Sequence, residues 1–164
     1  MDREANGGYS AWEGTAIMMK LDDTSVAIIR QLSDGRKSFK KIANELGISE
    51  NTVRTRANRL KAEGVMSISA RVNPEKIPDY QMLVVAVKLK TMNGIRKAKE
   101  LVKLRNVISI SAVTGRYDLI MTVVVNKDFG LTEFITEEMD RIGDIQAIET
   151  FVVYKSFQLE VPYT

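Results

Sequence analysis

Between Ser49 and Glu63 the chain reads Ser-Glu-Asn-Thr-Val-Arg-Thr-Arg-Ala-Asn-Arg-Leu-Lys-Ala-Glu. Val53, Ala57 and Leu60 recur at i, i+4 and i+7, the spacing of one buried helix face. That leaves Asn51, Arg54, Thr55, Asn58 and Arg59 on the outward side. Asn and Arg present paired hydrogen-bonding groups that match the edges of adenine and guanine, so such a row can read base pairs in a major groove. The opening turns of a groove-entering helix meet the bases, which singles out Asn51, Thr52, Arg54 and Thr55 for specificity. Ser38, Lys40, Lys41 and Arg56 are expected at phosphates, where contacts add affinity without reading sequence, and the helix cap Ser49 completes the expected DNA-binding set.

The rest of the composition narrows the chemistry further. The 164 residues include neither cysteine nor histidine. Disulfides, thiolate metal sites and thiol nucleophiles are thereby excluded, and the commonest general base is missing. An enzyme is not expected, and neither is a metal or other cofactor. No apolar run reaches the length of a membrane span and the first residues do not resemble a signal peptide, so a cytoplasmic protein without a membrane partner is expected.

Charge is unevenly distributed. Residues 21–73 hold ten basic and six acidic side chains, whereas residues 74–164 hold twelve of each. The positive excess therefore lies in one segment, and it suggests a polyanion partner for that segment alone.

The elements that must position these side chains can be read from periodicity and breakers. Residues 1–20 lack a sustained period and read as a mobile extension; residues 21–66 read as three short helices. The first is capped by Asp22 and runs to about Ser33, with Ile28, Ile29 and Leu32 inward; Asp34-Gly35 ends it. The second starts at Ser38, buries Phe39, Ile42, Ala43 and Leu46, and stops at Gly47, a residue able to take the left-handed conformation of a helix end. Ile48 returns to the core and Ser49 caps the third. Val65–Val72 reads as a linking strand leading into a linker and hinge over 67–80 that carries Pro74 and Pro78.

Residues 81–164 alternate as strand Met82–Lys90, helix Ile95–Leu104, strand Val107–Val113, strand Tyr117–Val125, helix Phe129–Ile142 and a long strand Ala147–Glu160. The first helix is expected to bury Ile95, Ala98, Leu101 and Val102. The order βαββαβ is that of a ferredoxin-like domain, so the fold class is α+β. Two helices cover one face of such a sheet, yet Leu83, Val85, Val87 and Val84, Ala86 are apolar on both faces. The second face calls for a partner, and another copy of the chain is the simplest one.

At this point a family resemblance is evident. Leu21-Asp22, Ile28-Ile29-Arg30-Gln31-Leu32 and Asp34-Gly35-Arg36 resemble the opening of the Lrp/AsnC regulators. Ile42-Ala43, Leu46-Gly47-Ile48-Ser49, Val53-Arg54, Arg56, Arg59-Leu60 and Gly64-Val65 are similar to that family's helix-turn-helix. Thr114-Gly115-Arg116-Tyr117-Asp118 resembles its second-half hairpin, and Ser25 stands where the family often has Asp. The resemblance implies a sequence-specific regulator that binds double-stranded DNA, forms homodimers and higher oligomers such as octamers, and binds an amino-acid effector between C-terminal domains. It places the effector near Gly115, Arg116, Tyr117 and Asp118, with Glu149 and Thr150 as candidate contributors from a neighbouring subunit. Siroheme decarboxylases are similar in fold; the lack of histidine and the intact basic helix speak against that enzymatic alternative.

Overall fold

The computed structural model describes residues 21–163, so the expected extension over residues 1–20 lies outside the described residues. The chain divides into two compact units, the first ending at Ile68 and the second beginning at Ser69.

The first unit holds α1 (Asp23–Leu32), α2 (Phe39–Leu46) and α3 (Glu50–Ala62). Each starts where a side-chain oxygen can take an orphan backbone N–H. Asp22 accepts from the Ser25 N–H, Ser38 from Lys41 and Ser49 from Thr52. Gly47 closes α2 at φ 65°, a left-handed conformation that costs glycine no Cβ clash. Ile28, Ile42, Ala43 and Val53 form the core, with Leu32, Phe39, Leu46 and Ile48 packed around them. Ala57 and Leu60 are fully buried further along α3.

The second unit holds β1 (Arg71–Val72), β2 (Gln81–Leu89), α4 (Gly94–Leu101), β3 (Val107–Ala112), β4 (Leu119–Val125), α5 (Leu131–Glu133), β5 (Ile145–Val152) and β6 (Val161–Pro162). A short 3₁₀ turn over Pro74–Lys76 precedes β2, and α5 continues as a π-helical segment over Phe134–Met139. The main sheet has the order β3-β4-β2-β5, with antiparallel neighbours throughout, which is the ferredoxin-like arrangement expected. Leu83, Val85, Val87 and Leu89 join Leu119, Met121, Val123 and Val125 on the helix-covered face, sealed by Leu101, Phe129, Phe134 and Met139.

Several boundaries differ from those read in the sequence. The linking strand expected over Val65–Val72 is confined to Arg71–Val72, because its only ladder partner is Val161–Pro162. The long strand expected over Ala147–Glu160 stops at Val152 and resumes as β6 in that second, two-stranded sheet. Between them, Glu75 holds the departing chain: its carboxylate accepts from Ser156 N–H at 2.5 Å, Ser156 Oγ at 2.9 Å and Lys155 Nζ at 2.6 Å. Strand β6 also covers part of the second sheet face, since Val161 packs with Met82 and Val124. The surface left for a partner is therefore smaller than two apolar faces suggested.

The helices differ too. Helix α4 ends at Leu101, and Ile95, expected inside, is 42% exposed. Lys97 takes the inward position beside Leu101, its stem buried and its ammonium paired with Glu100 at 2.7 Å. Phe129 is buried but precedes its helix: Asn126 Oδ1 accepts from the N–H groups of Asp128 and Phe129, and helix begins after Gly130.

One acidic group ties the first unit together. Asp22 not only caps α1 but accepts from Arg56 Nη1 of α3 at 2.8 and 2.6 Å, while Ser25 Oγ accepts from the same nitrogen at 3.1 Å. The Ser25 hydrogen bonds and then Arg56 hold the Asp22 carboxyl at about 2, below its ordinary 3.8. A carboxyl depressed on folding stabilises above its unfolded value and loses that contribution as pH falls through its folded value. Thermal unfolding followed by circular dichroism should show a falling midpoint from about pH 4 towards pH 2. Asp22→Ala should lower the midpoint at neutral pH and flatten the decline across that window.

Candidate nucleic-acid interface

Burial of Val53, Ala57 and Leu60 fixes the rotation of α3 about its axis. Each residue advances about 100° around a helix, so Asn51, Thr55 and Asn58 fall almost opposite that buried row. All three are exposed and make no side-chain hydrogen bond among the described residues. Arg54 and Arg59 flank them on either side, both exposed. Thr52 lies nearer the helix start, where its hydroxyl and the Ser49 hydroxyl bond to each other at 2.8 Å. Ser49 and Thr52 thus serve the cap first, which leaves Asn51, Thr55 and Asn58 as the uncommitted row.

The basic residues sort into two groups. Lys40 and Lys41 are exposed, on the α2 turn that Ser38 caps, and neither ammonium forms a salt bridge among the described residues. Arg54 is paired with Glu50 at 2.7 Å, Arg59 with Glu63 at 2.7 Å, and Arg56 with Asp22. Arg56 points towards α1 rather than away from the core, so the structure places it in the fold's own clasp. Its expected place at a phosphate has no support from that geometry. Glu50 and Glu63 were missed in reading the sequence, although their i, i+4 spacing to Arg54 and Arg59 is legible there. Such exposed pairs are individually weak and screened by salt.

The hairpin residues form a second constellation. Gly115 sits at φ 129°, a backbone conformation that disfavours any side chain. The Arg116 guanidinium lies 5.6 Å from the Tyr117 ring centroid, and the Tyr117 hydroxyl donates to the Glu149 carboxylate. Asp118 accepts from the Leu89 N–H at 2.8 Å and from Lys88 Nζ at 3.0 Å. Those contacts, the Leu89 N–H foremost, hold its carboxyl below the usual aspartate range. Asp118 therefore anchors the hairpin to β2. Glu149 lies opposite Ala86 and Thr150 opposite Val85, so they face opposite sides of the sheet. Gly115, Arg116, Tyr117, Asp118 and Glu149 are brought together; Thr150 is turned to the helix side.

Fold and surface together define a helix-turn-helix DNA-binding unit followed by a separate α+β domain. Family models match in the same two places: an AsnC-type helix-turn-helix domain over residues 21–61 and an Lrp/AsnC ligand-binding domain over residues 82–161. An uncharacterised helix-turn-helix transcriptional regulator of Pyrococcus abyssi is 35% identical over 82% of this chain and 87% of its own length. The chain belongs to the Lrp/AsnC family of transcriptional regulators, DNA-binding proteins rather than enzymes. Two solved structures share the fold. Leucine response regulatory protein LrpA of Mycobacterium tuberculosis has a TM-score of 0.71 and 24% identity over 84% of this chain and 94% of its own. A transcriptional regulator of Neisseria meningitidis, solved in complex with L-methionine, has a TM-score of 0.64 and 19% identity over 88% of this chain and 96% of its own. No helix among the described residues is long and apolar enough to cross a membrane.

The two groups of cations should separate experimentally. Arg56→Ala is expected to lower the thermal midpoint of the first unit. Lys41→Ala should leave that midpoint unchanged while reducing the slope of log affinity against log salt by about one. Circular dichroism melts and fluorescence anisotropy with a labelled duplex read the two effects; a DNA defect in Arg56→Ala without lost stability would return Arg56 to the phosphates.

Proposed function

We infer that this regulator recognises a specific, pseudo-palindromic DNA site as an assembly of dimers, and that an amino acid bound by the second unit adjusts the assembly. The observation that carries the first part is the row Asn51, Thr55 and Asn58, uncommitted on the outward side of a helix whose inward side is fully packed. Arg54 and Arg59 border that row and Lys40 and Lys41 supply charge for phosphates. A two-fold assembly presents two such helices, and the symmetry of the site would mirror that of the protein.

The sheet face turned away from α4 and α5 supports the assembly. Beyond the part that β6 covers, Val84 and Ile120 are only half-buried and Phe151 is 49% exposed. A second copy would bury this surface. An amino-acid effector is supported by the ligand-binding description of the family and by the L-methionine complex of the Neisseria meningitidis relative. The Gly115–Asp118 hairpin and Glu149 would offer it backbone N–H groups, a guanidinium and a carboxylate. Asp118 is already engaged, so Glu149 is the better candidate for an ammonium group.

Selection of bound sequences from a random duplex pool tests the specific reading. Recovered sites should outcompete random DNA by at least about a thousandfold at physiological salt. Equal competition would leave only non-specific binding. Sedimentation velocity tests the assembly: Phe151→Glu should shift the protein to smaller species, and an effector amino acid should change the wild-type distribution. Wild-type protein that sediments as a monomer at micromolar concentration would remove the dimer reading.

A further inference from the structure

Arg54 is held by both a carboxylate and an aromatic ring, and that arrangement rests on groups outside the outward row. Its Nη2 donates to Glu50 Oε1 at 2.7 Å. Its guanidinium carbon also lies 5.4 Å from the centroid of the Phe39 ring. Phe39 opens α2 and packs against the Ile28, Ile42, Ala43 and Val53 core, so it is a fixed platform. Yet the pair remains at the surface, with side-chain exposures of 56% for Arg54 and 44% for Glu50.

We propose that Glu50 is a positioning residue for base readout: with Phe39 it presents Arg54 as a fork to a guanine and keeps it from the phosphates. This rests on the reading that α3 recognises specific DNA. A guanidinium carries five N–H donors in one plane, and Glu50 occupies one of them. The Nε–H, both Nη1 hydrogens and the second Nη2 hydrogen are left, enough for a bidentate contact to guanine O6 and N7. The carboxylate neutralises Arg54 and repels phosphate oxygens, so little is gained by swinging to the backbone. A side chain already held in its binding geometry loses less freedom on contact. Glu50 Oε2 has no partner among the described residues, and it can accept from an exocyclic amine of cytosine beside the guanine.

Arg59 supplies the internal comparison. It is paired through Nε with Glu63 at 2.7 Å, with no aromatic ring beneath it among the described residues. Removing Glu63 takes away the same charge without touching a buttress. The two glutamates thus separate charge from positioning.

The test uses the full chain and a duplex recovered by selection, with each base pair of the half-site changed in turn and affinities read by competition anisotropy. Wild-type protein should prefer G·C at one position, and Arg54→Lys, which cannot fork, should lose that preference. Glu50→Ala should narrow it by about tenfold, the scale of one bidentate contact. Glu50→Gln keeps an acceptor and should retain part of the preference. Glu63→Ala should raise affinity for every duplex and leave the ratio at that position intact. Circular dichroism and binding to random duplex confirm that each variant is folded. Glu50→Ala with tighter binding to all duplexes and an unchanged ratio overturns the proposal, as does an equal narrowing by Glu63→Ala. Wild-type protein that does not distinguish selected from random duplex removes the specific reading itself, a failure visible before any variant is made.

Discussion

The insertion of Val53, Ala57 and Leu60 into the helical core is the constraint on which the DNA-binding surface depends. A helix can rotate about its own axis unless its apolar side chains are captured, and here all three are fully buried. The capture is complete because α1 and α2 meet α3 through Ile28, Ile42 and Ala43, each at most 3% exposed. Interiors are packed too closely to allow a one-residue slip without voids or clashes. The outward identity of Asn51, Thr55 and Asn58 is therefore a consequence of apolar packing on the other side. The Asp22–Arg56 clasp adds a polar stop at the α1 side of the same helix. Caps at Asp22, Ser38 and Ser49 fix where each helix begins, and so which residues occupy the first turn that meets a groove.

The second unit follows a different logic, because a four-stranded sheet has two faces to satisfy. One is sealed by Leu101, Phe129, Phe134 and Met139. The other is sealed only in part, by the chain's own return as β6 against Met82 and Val124. Glu75 directs that return by tying Lys155 and Ser156 to the turn that precedes β2. What remains open, around Val84, Ile120 and Phe151, is the portion that intrachain covering does not reach. An assembly interface there would be an extension of the sheet's own packing requirement.

How much of this was legible in the sequence follows from the range of the interactions involved. The three N-terminal helices, their caps and their buried rows were readable because i, i+3, i+4 spacing and Ser/Asp caps are local signals. The ferredoxin-like order was readable from alternation. Features fixed by distant partners were not legible. Arg56 reads as one more surface cation until Asp22, 34 positions away, is seen to bind it. Strand β6 cannot be told from a continuation of β5 without knowing that Arg71–Val72 waits for it. Lys97 displaced Ile95 because a long aliphatic stem can fill an apolar position when its ammonium finds Glu100. Glu149 and Thr150 were grouped by adjacency, and the pleat of a strand sends neighbours to opposite faces.

The hairpin shows how residues that invite a binding role can also carry obligations to the fold. Asp118 invites assignment to a ligand's ammonium because it is acidic and lies beside a glycine turn. In the fold it accepts the Leu89 N–H and Lys88, and its own N–H reaches the Val87 carbonyl at 3.0 Å. A ligand that recruited Asp118 would share its carboxylate with the two donors that fasten the hairpin to β2. Glu149 carries no such obligation: its visible partner is the Tyr117 hydroxyl, and it stands on the exposed face. Charge at this end of the sheet is thus divided between a carboxylate that holds the hairpin and one that is available.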